Sequence, residues 1–400
     1  EDEHMRRKVK TCIVGIMAAV GMIAGNLSPA EASSAPLVNG EFSYFNYVVP
    51  GDEGYYLLCG NLVGYWDGVK EHRARPLCGR PDCGHNNSDC MAFVPVFVSR
   101  KLFLVEDSLY VVGQAEYDNV TKAGASPLWK IAKDGSAKEA VCYIDKMPLQ
   151  YTIFKEQLYY AIEEEEDGKT VASVWCQSLN GKDKKEIWKS SLQQSIITPM
   201  QGIGEELYFQ ESGFDKTIDL NDPSLDFEKI QEESNLYAYN PQTDSWKTNP
   251  LDNKEEGKFT HIRNIYDGNM YYSYDKEGTL TLWSKPVDGE GDPRMVGILP
   301  KYPGTADEDY VYAYCRRDTE KQSSGFKIYD HDGKVIQEIS FPDMNTNLDV
   351  FPLTKEFVFG YMTKYLEEEC ITEHAVVLLD REEMAKGQAE IVPVFETECN

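Results

Sequence analysis

Basic residues are scarce in this chain. Forty Lys and Arg stand against 67 Asp and Glu, a formal charge of −27 at pH 7. A surface of that sign repels nucleic-acid phosphates and anionic membranes, so neither is expected as a partner. Long apolar runs are absent after residue 25, so no transmembrane span is expected in the mature chain. Apolar residues at a spacing of 3.6 are also missing over any long stretch, which argues against a helical fold. Enzymatic signatures are lacking too: there is no G-x-S-x-G elbow and no H-E-x-x-H. The "GKT" at 168–170 ends no phosphate loop, because Glu163 stands where the loop's first glycine is needed. Calcium finds little support: "DHDG" at 330–333 and "DGEGD" at 288–292 do not continue as EF-hand loops, and hairpin turns explain both.

What is present begins at the N-terminus. Arg6, Arg7, Lys8 and Lys10 precede the apolar run "TCIVGIMAAVGMIAG" at 11–25, and "AEA" at 30–32 supplies small residues for cleavage after Ala32. These are the three parts of a secretory signal peptide, so residues 1–32 are expected to be removed and the protein to be secreted or extracytoplasmic. The alternative is an uncleaved N-terminal anchor. Residues 33–400 are expected to form one domain, a soluble monomer.

Aromatic residues make up 12% of the chain, 25 of them tyrosines, which suit half-buried strands. They recur in a phrase. An aromatic apolar strand is followed, one or two short strands later, by a second apolar strand that often runs into an Asp-Gly turn. The first strand reads "YYLL" at 55–58, "LYVV" at 109–112, "LYYA" at 158–161, "LYFQ" at 207–210, "MYYS" at 270–273, "YVYA" at 310–313 and "FVFG" at 357–360. Successive starts are 54, 49, 49, 63, 40 and 47 residues apart. That period, built of short strands and Gly-containing turns, predicts an all-β fold, a β-propeller of seven blades, with six or eight left open. Each sheet has two apolar faces, which a ring of sheets stacked face to face can bury; the alternative is a pair of β-sandwiches, which also alternate strands and turns.

Asp67-Gly68, Asp134-Gly135, Asn180-Gly181, Asp288-Gly289 and Asp332-Gly333 are expected as tight hairpin turns with both central residues at positive φ. The long interval holds an acidic insertion at 211–234. The acidic runs "EEEED" at 163–167 and "EEE" at 367–369 read as solvated loops. The strand-like "FSYFNYVV" at 42–49 is expected to pair near "EIVPVF" at 390–395 and close the ring.

The densest chemistry is "PLCGRPDCGHNNSDCMAF" at 76–93, where three of ten cysteines and one of six histidines fall within thirteen residues. The spacing is C-x4-C-x-H-x4-C. Three thiolates and one imidazole form a known structural zinc set, which makes Cys78, Cys83, His85 and Cys90 candidate metal ligands. An extended backbone at 83–85 would point Cys83 and His85 to the same side. Two readings compete with zinc. In an oxidising compartment, two disulfides among Cys59, Cys78, Cys83 and Cys90 leave His85 a bystander. A reactive thiol is the third, with Arg73, Arg75 and Arg80 nearby. Cys176 and Cys315 sit in strand patterns and read as buried small hydrophobes.

The repeated phrase covers nearly all of 42–395 and resembles uncharacterised secreted bacterial propellers, in the style of TolB-like and lipoprotein-receptor-like propellers. Leu77, Cys78, Pro81, Cys83, His85, Cys90, Ala92 and Phe93 match a pattern that recurs in such proteins. The resemblance implies a propeller outside the cytoplasmic membrane and no established activity. Three functions follow as expectations. The first is a non-enzymatic module that binds a protein, peptide or carbohydrate. The second is an extracytoplasmic hydrolase or lyase acting on sugars or peptides at the channel mouth, where His261, His331 and His374 are available but nothing orders them. The third is a metal-binding module. No catalytic residues are named.

Overall fold

Within the strand Gln157–Glu166, Leu158, Tyr160 and Ile162 enter one apolar cluster, while Tyr159 and Ala161 enter the next. Side chains of a strand alternate between faces, so a run apolar at every position must be covered on both sides. Each fully buried Leu, Ile or Phe contributes about 1.5–3 kcal/mol, which makes stacking of such sheets the dominant driving force.

A computed structural model shows the resulting architecture. It describes residues 46–399 except 97–100, 115, 118–123, 167–168, 215–232, 249–257, 267, 287–290, 300–302, 314–315, 319–322, 342 and 367–370. Residues 1–45, with the expected signal peptide, lie outside the described residues, as do "EEE" at 367–369, the Asp288-Gly289 turn, Cys315 and most of the expected insertion. At the insertion's edges, Glu206–Phe214 and Glu233–Asn240 are paired strands, so 211–214 and 233–234 belong to the sheet.

Seven antiparallel sheets follow one another as the blades of a β-propeller. They span residues 48–76, 102–144, 150–189, 193–248, 258–298, 303–341 and 346–399. The two strands of the repeated phrase are the second and third of each blade and are direct neighbours, as Tyr55–Cys59 and Leu62–Trp66 show in blade one. Among the described residues no helix is long and apolar enough to cross a membrane.

Three further sequence expectations are corrected. The turns Asp134-Gly135, Asn180-Gly181 and Asp332-Gly333 place only the glycine at positive φ, at 71°, 78° and 81°. Each glycine N–H donates to the carbonyl three residues back, Ala132, Ser178 or Asp330, so the hairpin is a type I turn closed by a left-handed glycine. In two of the turns the residue before glycine caps the loop with its side chain: Asp134 Oδ1 accepts from the Ser136 amide at 2.9 Å, and Asn180 Oδ1 from Lys182 at 3.1 Å; in the third, Asp330 at the start of the turn accepts from the Lys334 amide at 2.8 Å. Turns with both residues at positive φ fall instead at Lys155-Glu156 and Glu277-Gly278.

Second, Glu163–Glu166 of the "EEEED" run is strand, not loop, paired with Lys169–Ala172. Third, Val48–Pro50 pairs with Tyr55–Leu57 inside blade one, and Val392–Cys399 pairs inside blade seven, so among the described residues no strand is shared at the ring closure. Closure is by face packing. Tyr47 stacks on Tyr361 with centroids 3.8 Å apart, the Ala74 amide donates to the Val394 carbonyl at 2.7 Å, and Lys70 pairs with Asp380 at 2.9 Å. Gly64 is required there: a Cβ at that position would lie 2.6 Å from the Phe395 ring.

Blades six and seven are tied by a buried ion pair. Asp307, fully buried, accepts from Arg381 Nη2 at 2.6 Å, from the Tyr312 hydroxyl at 2.7 Å and from the Asp309 and Tyr310 amides at 2.9 Å. Arg381 opens the short helix Arg381–Ala385, donates from Nε to the Thr354 carbonyl and lies over the Tyr266 ring of blade five at 5.0 Å.

Candidate metal centre

Residues 77–93 run from the short last strand of blade one, Arg75–Pro76, toward blade two. Backbone bonds stitch both ends of this segment to blade one: Leu77 N–H donates to Val63 O, Val63 N–H to Ala92 O and Val94 N–H to Asn61 O, at 2.8–2.9 Å. The far side rests on blade two. Gly135, at φ 71°, approaches so closely that a Cβ would sit 2.7 Å from the Leu77 carbonyl oxygen. Leu77, Cys90, Ala92 and Val94 join the apolar cluster shared by blades one and two. The segment is therefore a wedge between two blades, anchored along its length.

Within it, the donor atoms of Cys78, Cys83, His85 and Cys90 all lie within 4.8 Å of one another. His85 Nδ1 is 3.3 Å from Cys90 Sγ. A tetrahedral zinc site with Zn–S of about 2.3 Å and Zn–N of about 2.0 Å has donor–donor edges of roughly 3.5–3.8 Å. The four residues therefore fit one ion of that kind, with all four positions filled by protein. His85 takes φ 54°, so the backbone is not extended at 83–85, and a bend there brings the imidazole to the thiols.

The electrostatics favour a thiolate at Cys78 and oppose one at Cys90. Burial raises the Cys78 thiol, but hydrogen bonds from the Arg80 and Met91 amides and from the Cys90 and Cys83 thiols outweigh it and bring the pKa to about 7. Cys90, buried beneath the loop, is pushed up to about 11 chiefly by desolvation. Arg80 Nη2 reaches Cys83 Sγ at 3.5 Å. Cys78, Cys83 and Cys90 are free thiols.

Cys59, the fourth partner of the disulfide reading, lies on the other face of its strand. Tyr56 and Leu58 face the blade-two side with Cys90, whereas Leu57 and Cys59 face blade seven. Its Sγ donates to the Phe395 carbonyl at 3.5 Å and accepts from Thr397 Oγ1 at 3.6 Å. Sequence reasoning missed Lys138, which opens the fourth strand of blade two. Its ammonium donates to the carbonyls of Ser88 at 3.0 Å and of Cys90 and Phe93 at 2.7 Å, and burial lowers its pKa. Nothing in the local pattern marks it, because it lies 45 to 50 positions from its partners.

The candidate histidines fall in three different blades. His261 lies in the first strand of blade five, with its side chain outside the described residues. His331 Nε2 is 3.0 Å from the Asp307 carbonyl in blade six, and buried His374 packs 5.7 Å from the Tyr361 ring in blade seven. Cys176 is buried in the core, as expected from its strand pattern. Elsewhere, a cavity of about 600 Å³ beside Cys78 and Gly79 is walled by Asp52, Glu53, Tyr65 and Arg75.

No family model and no curated protein sequence matches the chain. Among solved structures it is similar to an acylaminoacyl peptidase in complex with Z-Gly-Gly-Phe-chloromethyl ketone, at 10% identity and a TM-score of 0.40, over 70% of this chain and 44% of that one. Pyrococcus horikoshii acylaminoacyl peptidase in its orthorhombic form gives 10% identity and a TM-score of 0.42 over 73% and 45%. The complex of KlAtg21 with the coiled coil of AgAtg16 gives 10% and 0.41 over 89% and 97%. The chain thus spans under half the length of the peptidases. Likeness at this level carries no information about activity.

Proposed function

We propose that the protein is an extracytoplasmic binding module, a β-propeller whose first two blades are stapled by one structural zinc ion on Cys78, Cys83, His85 and Cys90. The observation that carries the metal is the convergence of three thiols and one imidazole within 4.8 Å. A set of four protein ligands leaves no position for water or substrate, which favours a structural over a catalytic ion. In the wedge between blades, the ion would hold a turn-rich loop against both neighbours. The export signal read at residues 6–32 supports an extracytoplasmic setting, as does the likeness in style to TolB-like propellers.

Metal analysis and thiol titration of the purified protein test this. About one zinc per chain is expected. It should be lost in Cys83→Ser and kept in Cys59→Ser, because Cys59 faces blade seven. Absence of metal, with mass spectrometry finding disulfides among residues 78, 83 and 90, would sink the metal reading. N-terminal sequencing of exported protein should begin at Ser33; retention of residues 6–32 would instead favour the anchor.

A further inference from the structure

We propose that Lys138 is the positioning residue of this centre, a latch from blade two that holds the ligand loop closed and offsets the charge of the loaded site. The inference rests on the zinc reading above.

The geometry is specific. A lysine ammonium has three N–H donors and no acceptor. Lys138 Nζ has three carbonyl partners in the loop: Ser88 at 3.0 Å, Cys90 at 2.7 Å and Phe93 at 2.7 Å. Three carbonyl oxygens pointed at one spot repel one another, and this backbone arrangement needs a compact cation at its centre. Cys90, the buried ligand, lies between two of the latched carbonyls, so its position depends on the latch. The stem is fixed as well: the ammonium lies 5.1 Å from the centre of the Trp129 ring, on the neighbouring strand of blade two.

The charges agree. Three thiolates and a neutral imidazole around a divalent ion carry a net −1, half-buried between blades. Lys138 supplies +1 beside it from the opposing blade, and Arg80 approaches Cys83 from the loop itself. Zinc binding and the joint between blades one and two are thereby one event. The ligands come from blade one's connector, and the residue that orders them comes from blade two. Groups that orient metal ligands without touching the metal typically account for 10–100-fold in affinity.

The test is competitive zinc titration of the full chain against a chromophoric chelator, with cobalt substitution to report the ligand set. Lys138→Met should weaken zinc by about 10-fold or more while leaving the cobalt–thiolate spectrum unchanged, because the four ligands remain. Lys133→Met is the control. It removes the same charge from the same hairpin, but Lys133 pairs only with the exposed carboxylates of Asp52 and Asp107, and its affinity should match wild type. Lys138→Arg keeps the charge yet cannot set three donors on one point, so it should fall between wild type and Lys138→Met. It also carries the test should Lys138→Met not fold. Equal zinc affinity in wild type and the folded Lys138 variants overturns the latch and leaves the metal reading standing. An equal loss in Lys133→Met also overturns it, in favour of diffuse charge. No zinc in wild type overturns the reading beneath it.

Discussion

Replacing Asp307 by Asn removes the charge and turns one acceptor oxygen into a donor at almost no change in volume, so it tests the polar joint between blades six and seven. In the folded protein, Asp307 is fully buried and holds Arg381 at 2.6 Å, and the guanidinium is only 9% exposed. Without the carboxylate, a buried cation keeps the Thr354 carbonyl at 2.9 Å, the face of Tyr266 and, at 3.8 Å, the exposed carboxylate of Asp309. Breaking a buried pair by removing one partner costs about 3–5 kcal/mol. The remaining contacts put Asp307→Asn near the lower end, about 3 kcal/mol. Removing both charges should cost less than removing one, because no unpaired ion is left. Equilibrium denaturation of wild type, Asp307→Asn, Arg381→Met and the double variant reads this as a coupling of about 2 kcal/mol or more. A single-variant loss below about 1 kcal/mol, or strictly additive losses, would refute the reasoning, because the pair would then behave as a surface salt bridge.

Two further predictions concern the ring closure and the pH response. Gly64→Ala drives a methyl into the Phe395 ring, 2.6 Å away, and should destabilise by about 1–3 kcal/mol in denaturant titrations; adding Phe395→Leu should recover part of the loss, and no recovery would place the strain elsewhere. Asp349, on the first strand of blade seven, has its pKa raised by burial to about 7. Its folded-state pKa exceeds its unfolded one, so the folded state holds the proton longer and stability should fall as pH rises from about 4 to about 7. At about 1.4 kcal/mol per unit the change is at most about 4 kcal/mol, and less for a side chain that keeps some contact with water. Asp349→Asn should flatten that limb, and an unchanged slope would assign it to other groups.

Much of the fold was legible because blades are local. Each repeated phrase is two strands adjacent in the sheet, with a short strand between them in sequence only in blades two and six (Glu116–Tyr117 and Arg316–Asp318), so seven phrases read as seven blades. Turn chemistry was half legible. Asp or Asn before Gly marked three hairpins, at 134–135, 180–181 and 332–333, whereas Asp67-Gly68 opens a longer connection between Trp66 and Arg75; which residue took positive φ depended on whether the loop bulged. The acidic run at 163–166 was misread because cross-strand pairing with Lys169–Ala172 overrides composition.

The candidate set at 78–90 was visible from residue type and spacing, but only the turns of the folded loop bring its four donor atoms within 4.8 Å, since the same residues in an extended strand would spread over roughly 40 Å. Sequence by itself also set the acidic surface, the export signal expected at the N-terminus and the all-β class. Tertiary structure decided the rest. The pleat of one strand sent Cys59 toward blade seven and Leu58 toward the cluster of Cys90, a one-residue parity that separates a core thiol from the candidate centre. Lys138 meets the loop, and Arg381 meets Asp307 across 74 residues, because stacked blades bring distant segments face to face. Periodicity and composition report on neighbours along the chain; contacts between blades depend on how sheets register against each other, and that is set only when the ring closes.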